Sequence, residues 1–253
     1  MPRMPRKSRA DNHGHAILEH GDLFFFYHPK LEREVVTGAM DVASFHLVLH
    51  PLESAKYRYL AVSLKGLLRS GGEAGWWARI EALESRPEHL LRRLRDTHPL
   101  PPARPCGEGV YAVVRHGRHT HLAYALELPE EPGEVQKELG IGRQENPFLA
   151  IRNPMTEARE EAGLSPQVVL PDYPPDLLGL FGDCRFHPAD PARLLDYEGV
   201  EILIARRPAA TIEELGVDLH KEHETRETAE LFRTLKMRLD EVPMNPLFEG
   251  HWA

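Results

Sequence analysis

Apolar and polar positions alternate with a period of two over residues 42–50. Phe45, Leu47 and Leu49 fall on one side, and Ser44, His46 and His50 on the other. This is the pattern of a strand with one buried face. Residues 57–64 alternate in the same way, with Leu60, Val62 and Leu64 opposed to Tyr57 and Tyr59. The short, turn-like PLESAK between the two runs predicts antiparallel neighbours. Upstream, Gly21-Asp22 opens LFFFYH, apolar on both faces, which predicts a strand covered on both sides. From Glu73 to Asp96 the pattern reads as helical. Trp76, Trp77, Ile80 and Leu83 recur at helical spacing, and Pro87 can start a second set carrying Leu90, Leu91 and Leu94.

The densest signal runs from Arg104 to Gly140. Two strand-like stretches flank His116-Gly117, which predicts a hairpin with a two-residue turn, Val114 opposite His119 and Ala112 opposite His121. Thr120, Leu122, Tyr124, Leu126 and Leu128 then share a core face with Tyr111 and Val113. His119, His121, Ala123, Ala125 and Glu127 take the other face, where the small alanines leave room for a ligand or for a closely packed helix. Beyond the hairpin a unit recurs: strand, Pro, loop, short helix, then Glu-Leu-Gly and an apolar residue. Gly140 and Gly216 can end these helices in the left-handed conformation, with Ile141 and Val217 packing back. Thr211 and Glu214 have capping-box spacing at the second helix. PFLAI at 147–151 is a further short strand candidate. A longer helix is expected over about 222–239, with Phe232, Leu235 and Leu239 as its stripe.

These elements predict an α+β fold: mainly antiparallel strands in hairpins and meanders, with short helices and one longer C-terminal helix. PLPPARP at 99–105 is the strongest linker signal. It divides the chain into a basic disordered tail (1–14), an N-terminal α+β lobe (15–98) and a C-terminal α+β lobe (99–253), with a single domain as the alternative.

Composition narrows the classes. The chain has 253 residues, enough to bury a full core without staples. Its formal charge, 31 basic less 39 acidic residues or −8, argues against a whole-surface nucleic-acid binder but not against a local basic patch. No apolar run approaches membrane-spanning length. The basic start has no apolar h-region, and Cys106 and Cys184 cannot form a disulfide framework, so a cytoplasmic protein with reduced thiols is expected. Trp252 and the apolar tail PLFEGHWA are expected to dock on their own domain or on a second copy of the chain, forming a homo-oligomer.

Chemistry concentrates on the hairpin. The candidate ligand-binding residues are His119, His121, Arg118, Arg104 and Glu108. Imidazoles and guanidinium groups together suit a small anionic ligand. His119 and His121 could also give two ligands to a divalent metal, because residues i and i+2 point the same way. Glu127 would be roughly 20 Å from His121 and Glu108 on the order of 13 Å away along the strand, too far to complete the site. With 15 histidines in the chain a His-x-His triplet is expected about once by chance. Two rim histidines in purely structural hydrogen bonds therefore stand beside the functional reading. Cys106, next to Gly107 and Glu108, is a nucleophile candidate, with an inert loop thiol as the alternative. No phosphate-binding loop, dinucleotide fingerprint, nucleophile elbow or C-x-x-C occurs, and no cofactor is identifiable.

The segments EHGDLFFFYHPKLE (19–32), ARPCGEGVYAVVRHGRHTHLAYALELPEEPGEVQKELGI (103–141), LLDYEGVEILI (194–204) and PLFEGHWA (246–253) resemble a widespread family of uncharacterised, bacterial-type proteins. The resemblance implies a fold unit spanning the whole chain and carries no catalytic activity with it. In that family a basic G-R-K-R-L-P turn follows the strand that here reads YRYLAVSLKGLL; Lys65 is what remains of its charge. GDLFFFYH is also similar to the opening of EVE-type, PUA-like modules, which bind modified bases. Three functions follow as expectations: a cytosolic small-molecule binder or enzyme using the His119/His121 face, a nucleic-acid module using the tail and the first-lobe aromatics, or an interaction protein using the C-terminal tail.

Overall fold

The computed structural model describes residues 15–253 except 32, 34, 66–74, 96–98, 157–163, 165–168, 206–211 and 213–214. The expected tail (1–14) and the capping pair Thr211 and Glu214 lie outside the described residues. Among the described residues ten strands occur: β1 (His15–Pro29), β2 (Val42–Pro51), β3 (Tyr57–Val62), β4 (Trp76–Glu84), β5 (Arg104–His116), β6 (His119–Leu128), β7 (Gln144–Glu145), β8 (Phe148–Arg152), β9 (Phe186–Pro188) and β10 (Glu201–Ala205). Eight of them close an antiparallel barrel in the order β6-β5-β1-β2-β3-β4-β10-β8, with β6 pairing back to β8. β7 and β9 are additions at its edges. Strands from both sides of residues 99–105 belong to this one sheet: β1 pairs with β5 and β4 with β10.

The α+β expectation is therefore corrected. The protein is mostly β, with 17% helix. The described helices are α1 (Pro87–Arg95), α2 (Glu134–Glu138), α3 (Pro175–Leu178), α4 (Glu230–Thr234) and α5 (Asn245–Phe248). The long C-terminal helix is absent. Only α4 forms within 222–239, and Leu239 is exposed. The apolar stripe there instead fastens an irregular strap to the barrel wall, with Leu231 and Leu235 buried against β1–β3 residues. The helix expected from residue 73 is strand β4. Trp76, Ala78 and Ile80 point inward and Trp77, Arg79 and Glu81 outward. Tertiary pairing with β3 and β10 overrides a pattern that fits both periods. From Pro87 onward α1 forms as expected, burying Leu90, Leu91 and Leu94.

Alternation fills the barrel. Phe25, Phe45, Leu47, Leu60, Trp76, Ile80, Val113, Leu122, Tyr124, Leu149, Ile151, Ile202 and Ile204 form one continuous core. Phe24, Phe26 and Val48 point outward under α1, α4 and α5. Closure needs strongly coiled strands, and glycines permit it. A Cβ on Gly21 would lie 2.1 Å from the His50 carbonyl oxygen, and one on Gly109 would lie 2.0 Å from that of Ala125.

At one barrel end Arg58 points inward and is fully buried. It donates to both oxygens of Glu19 (2.5 and 2.7 Å) and to Asp196 Oδ1 (3.0 and 2.8 Å), while the Tyr111 hydroxyl donates to Glu19 (2.7 Å). Burial alone would push the guanidinium pKa down; bonding to Glu19 and the nearby Asp196 charge outweigh it and keep the group protonated. At the other end the C-terminal tail folds onto its own barrel. Trp252 meets Tyr27 edge-on at 5.3 Å, and the Val36 N–H donates to the Ala253 carbonyl at 3.0 Å. Among the described residues no helix is long and apolar enough to cross a membrane.

Buried ionisable groups set two expectations for stability. Arg58→Met leaves Glu19 without its counter-ion and Asp196 with Lys56 alone, whose Nζ lies 2.9 Å from Oδ2. It should cost about 3–5 kcal/mol in urea denaturation, with much of the loss recovered when Glu19→Gln and Asp196→Asn are added. An unchanged midpoint in Arg58→Met would refute a stabilising role for this buried ion cluster.

His46 sits outside the barrel, stacked on Tyr59 at 4.7 Å with His28 edge-on at 5.3 Å. Burial, with the His28 charge second, pushes its pKa from 6.5 down to about 3. The unfolded chain takes this proton below about pH 6.5 and the folded chain resists it until about pH 3, so stability falls with falling pH across that window. The loss from this group by pH 4 should be on the order of 3 kcal/mol. Chemical denaturation at pH 7 and pH 4 should show this slope in the wild type and a reduced slope in His46→Gln.

Candidate functional site

The turn of the β5–β6 hairpin is Gly117-Arg118, one residue later than expected, with Gly117 at φ 58°. His116 therefore pairs with His119, and Val114 with His121. The facing is as read from the sequence. Tyr111, Val113, Leu122 and Tyr124 point into the core, while Ala112, Val114 and Ala123 point outward under Ile212, Leu215 and Val217. The space beside the alanines is thus filled by the chain itself.

A site-forming feature lies at the end of β6. One edge of β8 pairs with β10. Its other edge is shared: Phe148 pairs with His121 of β6, and Ala150, Ile151 and Arg152 pair with β9. β6 and β9 thus meet end to end along one strand. Thr120 staples the junction. Its buried hydroxyl donates to the Leu149 carbonyl at 2.6 Å and accepts the Ala189 N–H at 2.8 Å.

Outside this seam is a cavity of about 410 Å³. Alternation assigns its walls. Leu149, Ile151, Ile202 and Ile204 point inward, so Phe148, Ala150, Leu203 and Ala205 line the outside. β9 adds Phe186 and Pro188, with His187 between them on the Ile151 side, its ring 5.5 Å from that of Phe181, and the hairpin end adds Arg118 and His119. Phe186 is backed by Trp77 at 5.9 Å, and the Arg185 guanidinium lies 5.3 Å from the Phe186 ring centre. His119 meets Phe148 edge-on at 5.2 Å. Among the described residues the lining contains aromatic and small apolar side chains with Arg and His, and no carboxylate.

The sequence-derived residues separate into three places. Arg118 and His119 line the cavity. His121 is buried just behind it, 4.5 Å from Phe148, with its Nδ1 hydrogen donated to the Asn146 carbonyl at 3.0 Å. Burial lowers its pKa; the Asn146 bond opposes this, and the neighbouring histidines reinforce it. Arg104 and Glu108 lie roughly 25–40 Å farther along β5 and take no part. Arg104 pairs with Tyr27 and bonds the Ala253 carbonyl. Glu108 is fully buried and accepts the Glu230 and Leu231 N–H groups at 2.9 and 3.0 Å, holding the first turn of α4 to the barrel. Burial pushes its pKa up to about 8; the two N–H bonds pull the other way, and the Glu127 and Glu224 charges add to the rise.

No group of three or more metal-ligating side chains occurs among the described residues, so nothing described completes the His119/His121 pair as a metal site. Both cysteines are free. Cys106 is fully buried, and burial raises its thiol pKa well above the usual value, which suits an inert core thiol. Sequence reasoning missed Phe186, His187, Leu203 and Ala205. The alternation of PFLAI around Phe148 was visible, but β9 has three residues and no period of its own. No protein-family model matches the chain, and comparison with curated proteins and with solved structures gives no match.

Thr120→Val removes both halves of the staple at nearly constant volume. It should cost about 1–3 kcal/mol, because the Ala189 N–H is left buried and unsatisfied. Amide exchange at Ala189 should accelerate in the variant and stay protected in Thr120→Ser. Equal protection in wild type and Thr120→Val would show that the seam does not depend on this hydroxyl.

Proposed function

We propose that the protein binds a small ligand with a flat apolar body and an anionic head in the cleft at the β6/β9 seam. One observation carries the reading: a cavity of about 410 Å³ whose described walls combine Phe148, Phe186 and Leu203 with Arg118 and His119 and hold no acid. The volume falls within the range usual for small-molecule sites. Aromatic walls favour a planar body by stacking, and guanidinium and imidazole groups favour an anion. Ala150 and Ala205 on the floor leave the depth for it. A nucleic-acid reading has less support, since Tyr57 and Tyr59 are buried under the α1 side of the barrel. Two free cysteines accord with a cytoplasmic location.

Titration of ¹⁵N-labelled protein with naphthalene-1-sulfonate tests the site. Amide shifts should concentrate at Arg118, His119, Phe148, Phe186, His187 and Leu203. Leu203→Trp fills the cleft without removing a polar group and should weaken binding at least tenfold, about 1.4 kcal/mol. Shifts scattered over other surfaces, or full affinity in Leu203→Trp, would sink the proposal.

A further inference from the structure

Behind the cleft, four imidazoles form a continuous group on the outer face of β1, β5 and β6. His15 and His116 face each other across a strand pair with ring centres 4.3 Å apart. His116 lies 5.9 Å from His121 and pairs with His119 on the neighbouring strand. His121 and His119 both touch Phe148, the cleft wall. His15 Nδ1 is buried with no hydrogen-bond partner among the described residues. We propose that this histidine cluster couples ligand binding to proton uptake: the cleft takes its anion together with protons from solvent, and binding tightens as pH falls. The inference rests on the cleft reading above.

The physical case is one of like charges. Imidazole changes charge between pH 5 and 8. In the empty protein each proton added to the cluster meets the others at close range. Among the described residues the cations nearby are Arg118 in the cleft wall and Arg185 beside Phe186. Arg115 on β5 is paired with Asp190 at 3.0 Å, so that carboxylate is already engaged. The Asn146 carbonyl supplies one acceptor, to His121. An anion in the cleft is then the group that relieves the repulsion, and by linkage each proton gained strengthens its binding.

The test is the affinity of naphthalene-1-sulfonate from pH 8 to pH 5.5 at constant ionic strength. A sulfonate keeps its charge over this range, whereas a phosphate ester would titrate near pH 6. The wild type should bind about tenfold more tightly at pH 5.5 than at pH 8. His15→Gln/His116→Gln changes residues behind the cleft wall and should lose at least half of that pH slope. Histidine NMR titration of the wild type reads the same linkage without substitution, and the cluster's midpoints should rise when the probe is bound. A pH-independent affinity in the wild type, or an undiminished slope in the double variant, overturns the coupling and leaves the cleft standing. No binding at any pH overturns both.

Discussion

Closure of the sheet governs this molecule. An open antiparallel sheet leaves two edges of unpaired N–H and C=O groups, and joining β6 to β8 removes the long ones. But β8 has only five residues, and its free edge must satisfy both the end of β6 and all of β9. Two strands meeting head-on along one partner cannot continue each other's ladder. The gap has to be bridged by a side chain, and Thr120 does so. The cleft lies where the closed sheet is least regular, and the residues around it are arranged by that junction. The packing elsewhere follows from the same constraint. A barrel of this size is filled by its own inward side chains. Phe25, Phe45, Trp76 and Tyr124 occupy that interior, and the cleft at the seam lies outside it.

Polar groups at the barrel's ends differ in kind from those at the seam. Arg58, Glu19, Asp196 and Tyr111 saturate one another and close one end. Glu108 is spent on holding the C-terminal strap. These groups are buried and mutually satisfied, which is the signature of a structural role. Arg118 and His119 stand at a cavity with apolar walls, which is why a binding reading attaches to them.

Local patterns were legible in the sequence where a single period dominated. The faces of β2, β3, β5 and β6 followed from alternation, and Pro87 marked the start of α1. Gly140 and Gly216 adopt the left-handed conformation that their Glu-Leu-Gly settings implied. What failed was non-local. Trp76, Trp77, Ile80 and Leu83 fit a helix as well as a strand, and only pairing with β3 and β10 decides between them. The strap over 222–239 carries a helical stripe, yet its turns are held by Glu108 and Glu127, which come from distant sequence. Half of the cleft was visible in advance, because Arg118, His119 and His121 lie within four residues. The other half required knowing that β8 and β9 pack beside them.

The pairing of β4 with β10 joins residues more than a hundred positions apart. A nascent chain emerging from the ribosome would present β1 through β4 as a meander with β4's outer edge bare until residue 205 has cleared the exit. Only then can the sheet curl shut. High contact order of this kind slows folding, and an apolar edge held open during synthesis is a target for chaperones and for self-association. A charge on such an edge disfavours pairing between two unfinished chains, and β4 carries the exposed Glu81 there.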